Sequence, residues 1–234
     1  MRKSVSAAIL KALRAVDTPT ICNAIEAVEG RRRNTGFTRL PVIPADPALP
    51  AMVGFVKTAQ IRSDLPSTET SVVLRARRLN YYRYVADGVF PRIIVIEDCG
   101  APKGLGAFWG EVNVALHLGL GLQGVITDGS IRDLGALDKG FQLLAGSVGP
   151  SHAFVHVTAF DCPVSVFGLA LAPGDLVHAD RHGAVLIEPG MEKELPAAID
   201  LVTRKEAPLL KAARAPGFNI AKLLEAWGEA EDVH

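Results

Sequence analysis

Apolar side chains recur at helical spacing over residues 4–16. Asp17, Thr18 and Pro19 then close that helix and open a second, from Thr20 to Val28, with Gly30 as its stop. Residues 31–50 are basic and then proline-rich (Pro41, Pro44, Pro47, Pro50), the pattern of a surface connection. Met52 to Ile61 reads as a strand and Thr68 to Ala86 as a long helix ending at Asp87-Gly88. After Pro91, the β-branched run from Arg92 to Glu97 predicts a buried strand. A glycine-rich turn follows, then a helix from Glu111 to Leu118 and a strand from Gly124 to Thr127. The period switches from 2 to 3.6 and back, which is the mark of a βαβ crossover. Beyond it come strand-like runs at Phe141–Leu144, Ala153–Ala159, Val164–Leu171 and Leu176–Ile187. Pro173-Gly174-Asp175 and the turn from Asp180 to Gly183 punctuate them. Two helices, near 190–213 and 218–229, close the chain. Nothing divides it, so one domain is expected over 1–234: helical at about 4–30, α/β at about 50–190, helical again at about 190–229.

Composition narrows the function classes. Lys+Arg and Asp+Glu both number 25, and the zero net charge gives no support to a nucleic-acid partner. Arg31-Arg32-Arg33 is short and reads as a solvated loop. Lys11 and Arg14 interrupt the apolar N-terminal stretch at helical spacing, so it reads as an amphipathic helix rather than a secretory leader. No run approaches the length of a membrane span. Cys22, Cys99 and Cys162 are scattered and odd in number, which favours neither disulfides nor a cysteine zinc site. A reduced, cytoplasmic protein is the expectation.

Chemistry concentrates between Glu97 and Asp133. A glycine-rich loop (Gly100, Gly104, Gly106, Gly110) leaves a buried strand and enters a helix at Glu111. Free amides and the helix dipole favour an anion there. The glycine spacing misses the dinucleotide fingerprint and no phosphate-loop lysine is present, so nucleotide binding is not supported. Asp128, Arg132 and Asp133 follow the second strand of the crossover. Loops at the carboxyl ends of adjacent parallel strands converge. One guanidinium and up to three carboxylates (Glu111, Asp128, Asp133) should therefore face an anion-binding helix terminus, a setting that suits a hard divalent cation and an oxyanion.

Gly110-Glu111, then twenty residues, then Arg132-Asp133 resembles the signature of the RraA-like family. Further matches are Thr18 to Ala24, Gly124 to Gly129, and the stretch from Pro173 through Asp175, Asp180 and Gly183 to Val185. The similarity spans about residues 17–190. That family includes 4-hydroxy-4-methyl-2-oxoglutarate/4-carboxy-4-hydroxy-2-oxoadipate aldolases and regulators of ribonuclease E activity. The resemblance implies an α/β fold, a mixed-sheet β/β/α sandwich with helices at both termini, assembled as homotrimers or hexamers (dimers of trimers) with sites between subunits. It implies that Asp133 ligates a divalent metal, Mg²⁺ or Mn²⁺, and that Arg132 is catalytic and holds the pyruvyl oxygen. Gly110, Glu111, Val112 and Asn113 would form the turn that receives the substrate. Glu111 and Asn23 stand where many relatives carry aspartate.

The expected reaction is retro-aldol cleavage of a 4-hydroxy-2-oxo acid to pyruvate, with oxaloacetate decarboxylation through the same enolate. Arg132 and the metal would stabilise the developing charge, with Glu111 orienting proton transfers. No Schiff-base lysine is required, and neither Lys57, Lys103 nor Lys139 has a context marking it as a nucleophile. His152 with His156, and His178 with His182, are each four apart, but third and fourth zinc ligands are not evident. Tyr81, Tyr82 and Tyr84 beside Arg75, Arg77 and Arg78 form a mix that raises RNA binding, with packing the commoner use. The alternative from another class is a non-catalytic regulator that binds an RNA-degrading enzyme.

Overall fold

The computed structural model describes residues 4–233. Helices α1 (Ala7–Arg14) and α2 (Thr18–Glu29) lead into strands β1 (Ile43–Pro44) and β2 (Met52–Arg62), then helix α3 (Ser71–Ala86). Strands β3 (Arg92–Asp98) and β4 (Ala107–Trp109) precede helix α4 (Glu111–Gly119) and strands β5 (Leu122–Ile131) and β6 (Gln142–Val148). Five short strands follow: β7 (His156–Phe160), β8 (Val164–Val166), β9 (Leu169–Leu171), β10 (Leu176–Asp180) and β11 (Gly183–Ile187). A 3-10 turn at Met191–Lys193 leads into α5 (Leu195–Arg214) and α6 (Ile220–Glu231). The first helix boundary lies where its side chains dictate. Asp17 caps α2, its carboxylate accepting the Thr20 amide at 3.0 Å, and Gly30 ends it in the left-handed region at φ 66°.

One mixed sheet of nine strands organises the molecule, in the order β1-β6-β5-β3-β2-β10-β11, with β4 on β5 and β7 on β2. β2, β3, β5 and β6 run parallel, and β10 and β11 extend the sheet antiparallel. β8 and β9 form a separate hairpin. Alternation along β3 sorts the core. Ile94 and Ile96 pack with Tyr81, Val85 and Val114 under α3 and α4, while Ile93 and Val95 pack with Val164, Val166 and Leu169 of the hairpin. A third cluster seats α1, α2 and α5 (Leu13, Ile21, Ile25, Leu195) on Val53, Phe55 and Val185. The result is the expected mixed-sheet α/β sandwich with helices at both ends.

Arg92 ties two helices to the sheet. Its buried guanidinium donates to the carbonyl of Ala86, at the end of α3, and to that of Leu120, past α4, at 2.7 Å. Both carbonyls lie where a helix dipole is negative.

Several boundaries differ from the sequence pattern. β5 continues through Asp128, Gly129 and Ser130 to Ile131, where a loop from Asp128 is expected. Polar residues and glycine persist there because the strand is paired with β6 on one side and β4 on the other, with a register shift between Thr127 and Ser130. The runs Val164–Leu171 and Leu176–Ile187 each split into hairpins, the first at Phe167 and Gly168, both at positive φ. β7 begins only at His156. β4 falls inside the expected glycine loop. α1 starts at Ala7, three residues late, capped by Ser6.

Candidate active site

The short strand β4 brings the two halves of the site together. Trp109 pairs with Ile131, and the Arg132 amide donates to the Trp109 carbonyl at 2.9 Å. This places Gly110, the N-cap of α4, against the Arg132-Asp133 turn. A Cβ at Gly110 would collide with Asp133 Oδ2 and lie 3.1 Å from Arg132 Cγ, so any side chain there would push the Asp133 carboxylate aside. No side chain caps α4. The Glu111 amide reaches Asp133 Oδ2 at 3.3 Å, while those of Val112 and Asn113 face the first turn without a capping side chain. Asp133 adopts φ 59°, left-handed backbone that Asp tolerates better than most residues. Its Oδ2 also meets Arg132 Nε at 3.3 Å, with both side chains about a third exposed.

These groups line a cavity of about 340 Å³. Gly110, Val112, Asn113, Arg132 and Asp133 are among its walls, joined by Arg78, Phe108, His152 and Val155. Five of the six residues singled out from the sequence therefore converge. Glu111 has an exposed side chain and does not line the cavity. Asn113 contributes in an unforeseen way. Its buried side chain donates to the Phe108 carbonyl and accepts from Arg78 Nη2 at 3.2 Å and Tyr82 Oη at 3.0 Å. Arg78, in the tyrosine-arginine mix of α3, is thereby held at the cavity with its guanidinium over Phe108. The cavity carries two guanidiniums against one carboxylate.

Behind Asn113 lies a buried relay. His117 Nδ1 sits 2.6 Å from the Asn113 carbonyl and Nε2 2.6 Å from Tyr81 Oη. The carbonyl can only accept, so Nδ1 carries the hydrogen and Nε2 accepts from the phenol. Burial holds His117 down to about 4 and pushes the Tyr81 phenol well up.

Other expectations resolve differently. The glycine loop wraps a carboxylate of its own chain: buried Asp98 accepts from the amides of Gly100 at 2.9 Å and Gly104 at 2.8 Å. The amides of Gly100 and Gly104 are thus committed, as is that of Gly106 to Ser63 Oγ, and the amides at the cavity are those that start α4. Asp128 is also engaged elsewhere, accepting the Asp98 amide at 2.7 Å and Lys103 Nζ at 2.6 Å. Two carboxylates at most, Asp133 and Glu111, remain near the cavity. The histidine pairs do not share strand faces. His152 lies in a turn and bonds the Ala153 carbonyl, and His156 begins β7. His178 bridges Thr18 Oγ1 and the Leu13 carbonyl, each at 3.0 Å, while His182 bonds Asp180. Asp180 also accepts the Thr18 amide at 2.9 Å, so it joins α2 to the β10–β11 hairpin beyond making a turn. Among the described residues no group of three His, Cys, Asp or Glu side chains gathers as a metal set. Asn23 lines a separate depression with Lys205 and Glu206. In the tyrosine-arginine mix, Tyr81 is core and Arg77 is paired with Glu69. Lys103 is ion-paired, whereas Lys57 does have the desolvated setting that its sequence context does not display.

The family model for RraA-like proteins (Aldolase/RraA) matches residues 18–186. A comparison with curated proteins gave no match. Among solved structures, an uncharacterized protein from Pseudomonas syringae pv. tomato str. DC3000 has a TM-score of 0.70 at 19% identity, over 96% of this chain and 98% of its own. Streptomyces coelicolor RraAS2, described as an unusual member of the RNase ES inhibitor RraA protein family, has a TM-score of 0.66 at 21% identity, over 92% and 100%. The RNA-processing inhibitor RraA from Thermus thermophilis follows at 0.52 and 17%, over 71% and 91%. These likenesses establish the fold, and the match over residues 18–186 establishes that the chain belongs to the RraA-like family, which holds both aldolases and ribonuclease E inhibitors.

Proposed function

We propose that this chain is a divalent-metal-dependent lyase of the pyruvate-aldolase class, cleaving the C3–C4 bond of a 4-hydroxy-2-oxo acid, with oxaloacetate decarboxylation as a side reaction. The observation that carries this reading is the convergence of Gly110, Val112, Asn113, Arg132 and Asp133 on one cavity of about 340 Å³, large enough for a small oxo acid. The donor set fits Mg²⁺ or Mn²⁺. Asp133 Oδ1 receives no hydrogen bond from a described residue, its side chain is open to water, and such ions take one or two carboxylates and fill their shell with water and substrate. Asp133 would hold the metal, which when bound supplies Lewis-acid stabilisation of charge on the substrate oxygens.

The chain's own groups do the remainder. The unfilled amides at the start of α4 hold the substrate's C1 carboxylate. The Arg132 guanidinium stabilises the negative charge that builds on the C2 oxygen as the C3–C4 bond breaks. Arg78, across the cavity, pairs with an anionic group on C4, which favours a dicarboxylate. Glu111, outside the walls, passes the proton through a water molecule rather than by contact. Exposed Val112, Leu116 and Phe154 at and beside the cavity are apolar surface that a second copy would cover, in keeping with a trimer or a dimer of trimers.

The test is pyruvate release from 4-hydroxy-4-methyl-2-oxoglutarate and oxaloacetate, with Mg²⁺ or Mn²⁺ and then with chelator. Asp133→Asn and Arg132→Ala should each lose on the order of 10²–10³-fold in turnover. A folded, metal-supplemented protein inert on both acids would overturn the lyase reading. The second reading would then lead: inhibition of an RNA-degrading enzyme, the activity named for the Streptomyces and Thermus structures.

A further inference from the structure

Two helices carry apolar stripes on the sides turned away from the core. On α6, Ile220, Leu224 and Trp227 are 68, 66 and 53% exposed, while Ala226 and Ala230 are its buried residues. Glu231 continues the i, i+4, i+7, i+11 spacing, which keeps all four on one face. Its carboxylate accepts the Trp227 indole N–H at 3.1 Å and steadies that ring. On α3, Val72, Ala76, Leu79 and Arg83 repeat the same spacing, with Val72 76% and Leu79 43% exposed, opposite the buried Tyr81 and Val85. The charges beside the two stripes have opposite signs. α3 contains Arg75, Arg77, Arg78 and Arg83 and no acidic residue. Arg77 is paired with Glu69 and Arg78 is held at the cavity, which leaves Arg75 and Arg83 for the outer face. α6 and its C-cap carry Glu225, Glu229, Glu231 and Asp232 against Lys222, whose ammonium turns back to the Pro216 carbonyl at 3.1 Å. That acidic flank repels an anionic membrane surface and suits a basic partner. Each stripe offers on the order of 400 Å², below the roughly 800 Å² per partner of a stable interface. A copy that gives its α6 and receives another at α3 covers both.

We propose that α6 of one copy docks on α3 of a second copy, stripe on stripe, with the two helices running in the same direction. In that register Ile220 of one copy meets Val72 of the other, Leu224 meets Ala76, Trp227 meets Leu79 and Glu231 meets Arg83. The reverse direction sets Glu231 on Val72 and Arg83 on Ile220, a carboxylate and a guanidinium each against an apolar group. The two faces are different patches, so the contact is heterologous. An open chain of copies leaves a bare α3 at one end and a bare α6 at the other, and closure covers both. The assembly is therefore a closed one in which each copy donates one helix and accepts one. This surface is separate from that at Val112, Leu116 and Phe154, and the proposal is independent of the lyase reading.

It is tested on the full chain by cross-linking. Arg83→Cys and Glu231→Cys are introduced singly in a Cys99→Ser background and co-expressed with different affinity tags. The protein is treated with a short bismaleimide, and linked peptides are identified by mass spectrometry. All three positions are exposed, and circular dichroism checks that the fold is kept. The pair removed is a surface ion pair of small worth, so docking survives its replacement. A link between positions 83 and 231 that joins the two tags is expected. Trp227→Glu or Leu79→Glu should lower its yield about tenfold or more, as loss of a central anchor does. Absence of that link in the folded protein overturns the proposal. So does a link of position 231 to itself, which would mean that α6 pairs with α6. A yield that neither Trp227→Glu nor Leu79→Glu changes also overturns it, since the link would then report collision and not docking.

Discussion

His117 makes acid stability a direct test of the network behind the cavity. The imidazole is buried and neutral, donating from Nδ1 to the Asn113 carbonyl and accepting from Tyr81 at Nε2. A second proton would have to enter at Nε2, against the phenol and without water. Holding the group at about 4 rather than its ordinary 6.5 corresponds to about 3 kcal/mol. The sign follows from proton counts. Between these values the unfolded chain binds the proton and the folded chain does not, so stability is complete above about 6.5, falls as pH drops toward 4, and levels off below it. Carboxylates held low by partners, such as Asp64 at about 2 beside Arg62, lose their contribution at lower pH. His178 is lowered by burial too and adds in the same direction. The isolating variant is therefore His117→Gln, which removes one titration and leaves the rest. Urea unfolding free energies measured from pH 4 to 8 should show the gap between the two proteins closing by about 3 kcal/mol as pH falls. Parallel curves would refute the assignment of a neutral, desolvated His117.

Four other substitutions probe separate parts of the structure. Gly110→Ala pushes the Asp133 carboxylate and the Arg132 side chain aside; as both are partly exposed, it should cost less than about 1 kcal/mol in thermal stability but about 10²-fold in kcat/KM through misplacement of the two groups. Arg78→Met should lower kcat/KM on a dicarboxylate substrate by about tenfold or more, the worth of a hydrogen bond to a charge, and leave a substrate lacking the C4 carboxylate unaffected. Glu111→Gln should lower kcat by about 10²-fold, the low end for acid–base assistance; an unchanged kcat would remove Glu111 from the mechanism. Arg92→Leu leaves the Ala86 and Leu120 carbonyls without their donor and should cost about 3 kcal/mol in urea unfolding, with turnover of the folded protein unchanged.

The elements legible in the sequence are those whose signal is local. The α2 start at Asp17, the Gly30 stop and the alternating core of β3 follow from side-chain capping and burial, and each falls where the pattern puts it. β4 does not, because three residues between glycines carry no period of their own; it exists through pairing with β5, a contact more than twenty residues away in sequence. The same contact keeps Asp128, Gly129 and Ser130 in a strand that composition alone would end. The glycine loop holds a missed local rule. An aspartate two residues before a glycine can fold back on that amide, and Asp98 does so with Gly100. Glycines announce free amides, but which carboxylate takes them depends on whether one is already in the chain.

The cavity divides along the same line. Gly110, Arg132 and Asp133 were readable because a crossover forces the loops at the ends of β3 and β5 together, whatever the remainder of the chain does. Arg78 was not, since a helix bearing Arg75, Arg77, Arg78 and Arg83 gives no reason to choose among them. The choice is made by Asn113, which projects from the first turn of α4 and accepts from Arg78 and Tyr82 together. The resemblance assigns that position to substrate-contacting backbone, and its side chain in addition holds a second cation in the cavity that Arg132 lines. The two arginines therefore differ in how they are held. Arg132 is fixed by the chain on either side of it, through the Trp109 carbonyl and Asp133. Arg78 depends on one amide side chain, so Asn113→Ala should reproduce the Arg78→Met specificity change while Arg78 is still present. On a substrate lacking the C4 carboxylate Asn113→Ala should leave kcat/KM unchanged; an equal loss on that substrate would mean that Asn113 acts on the substrate itself and not through Arg78.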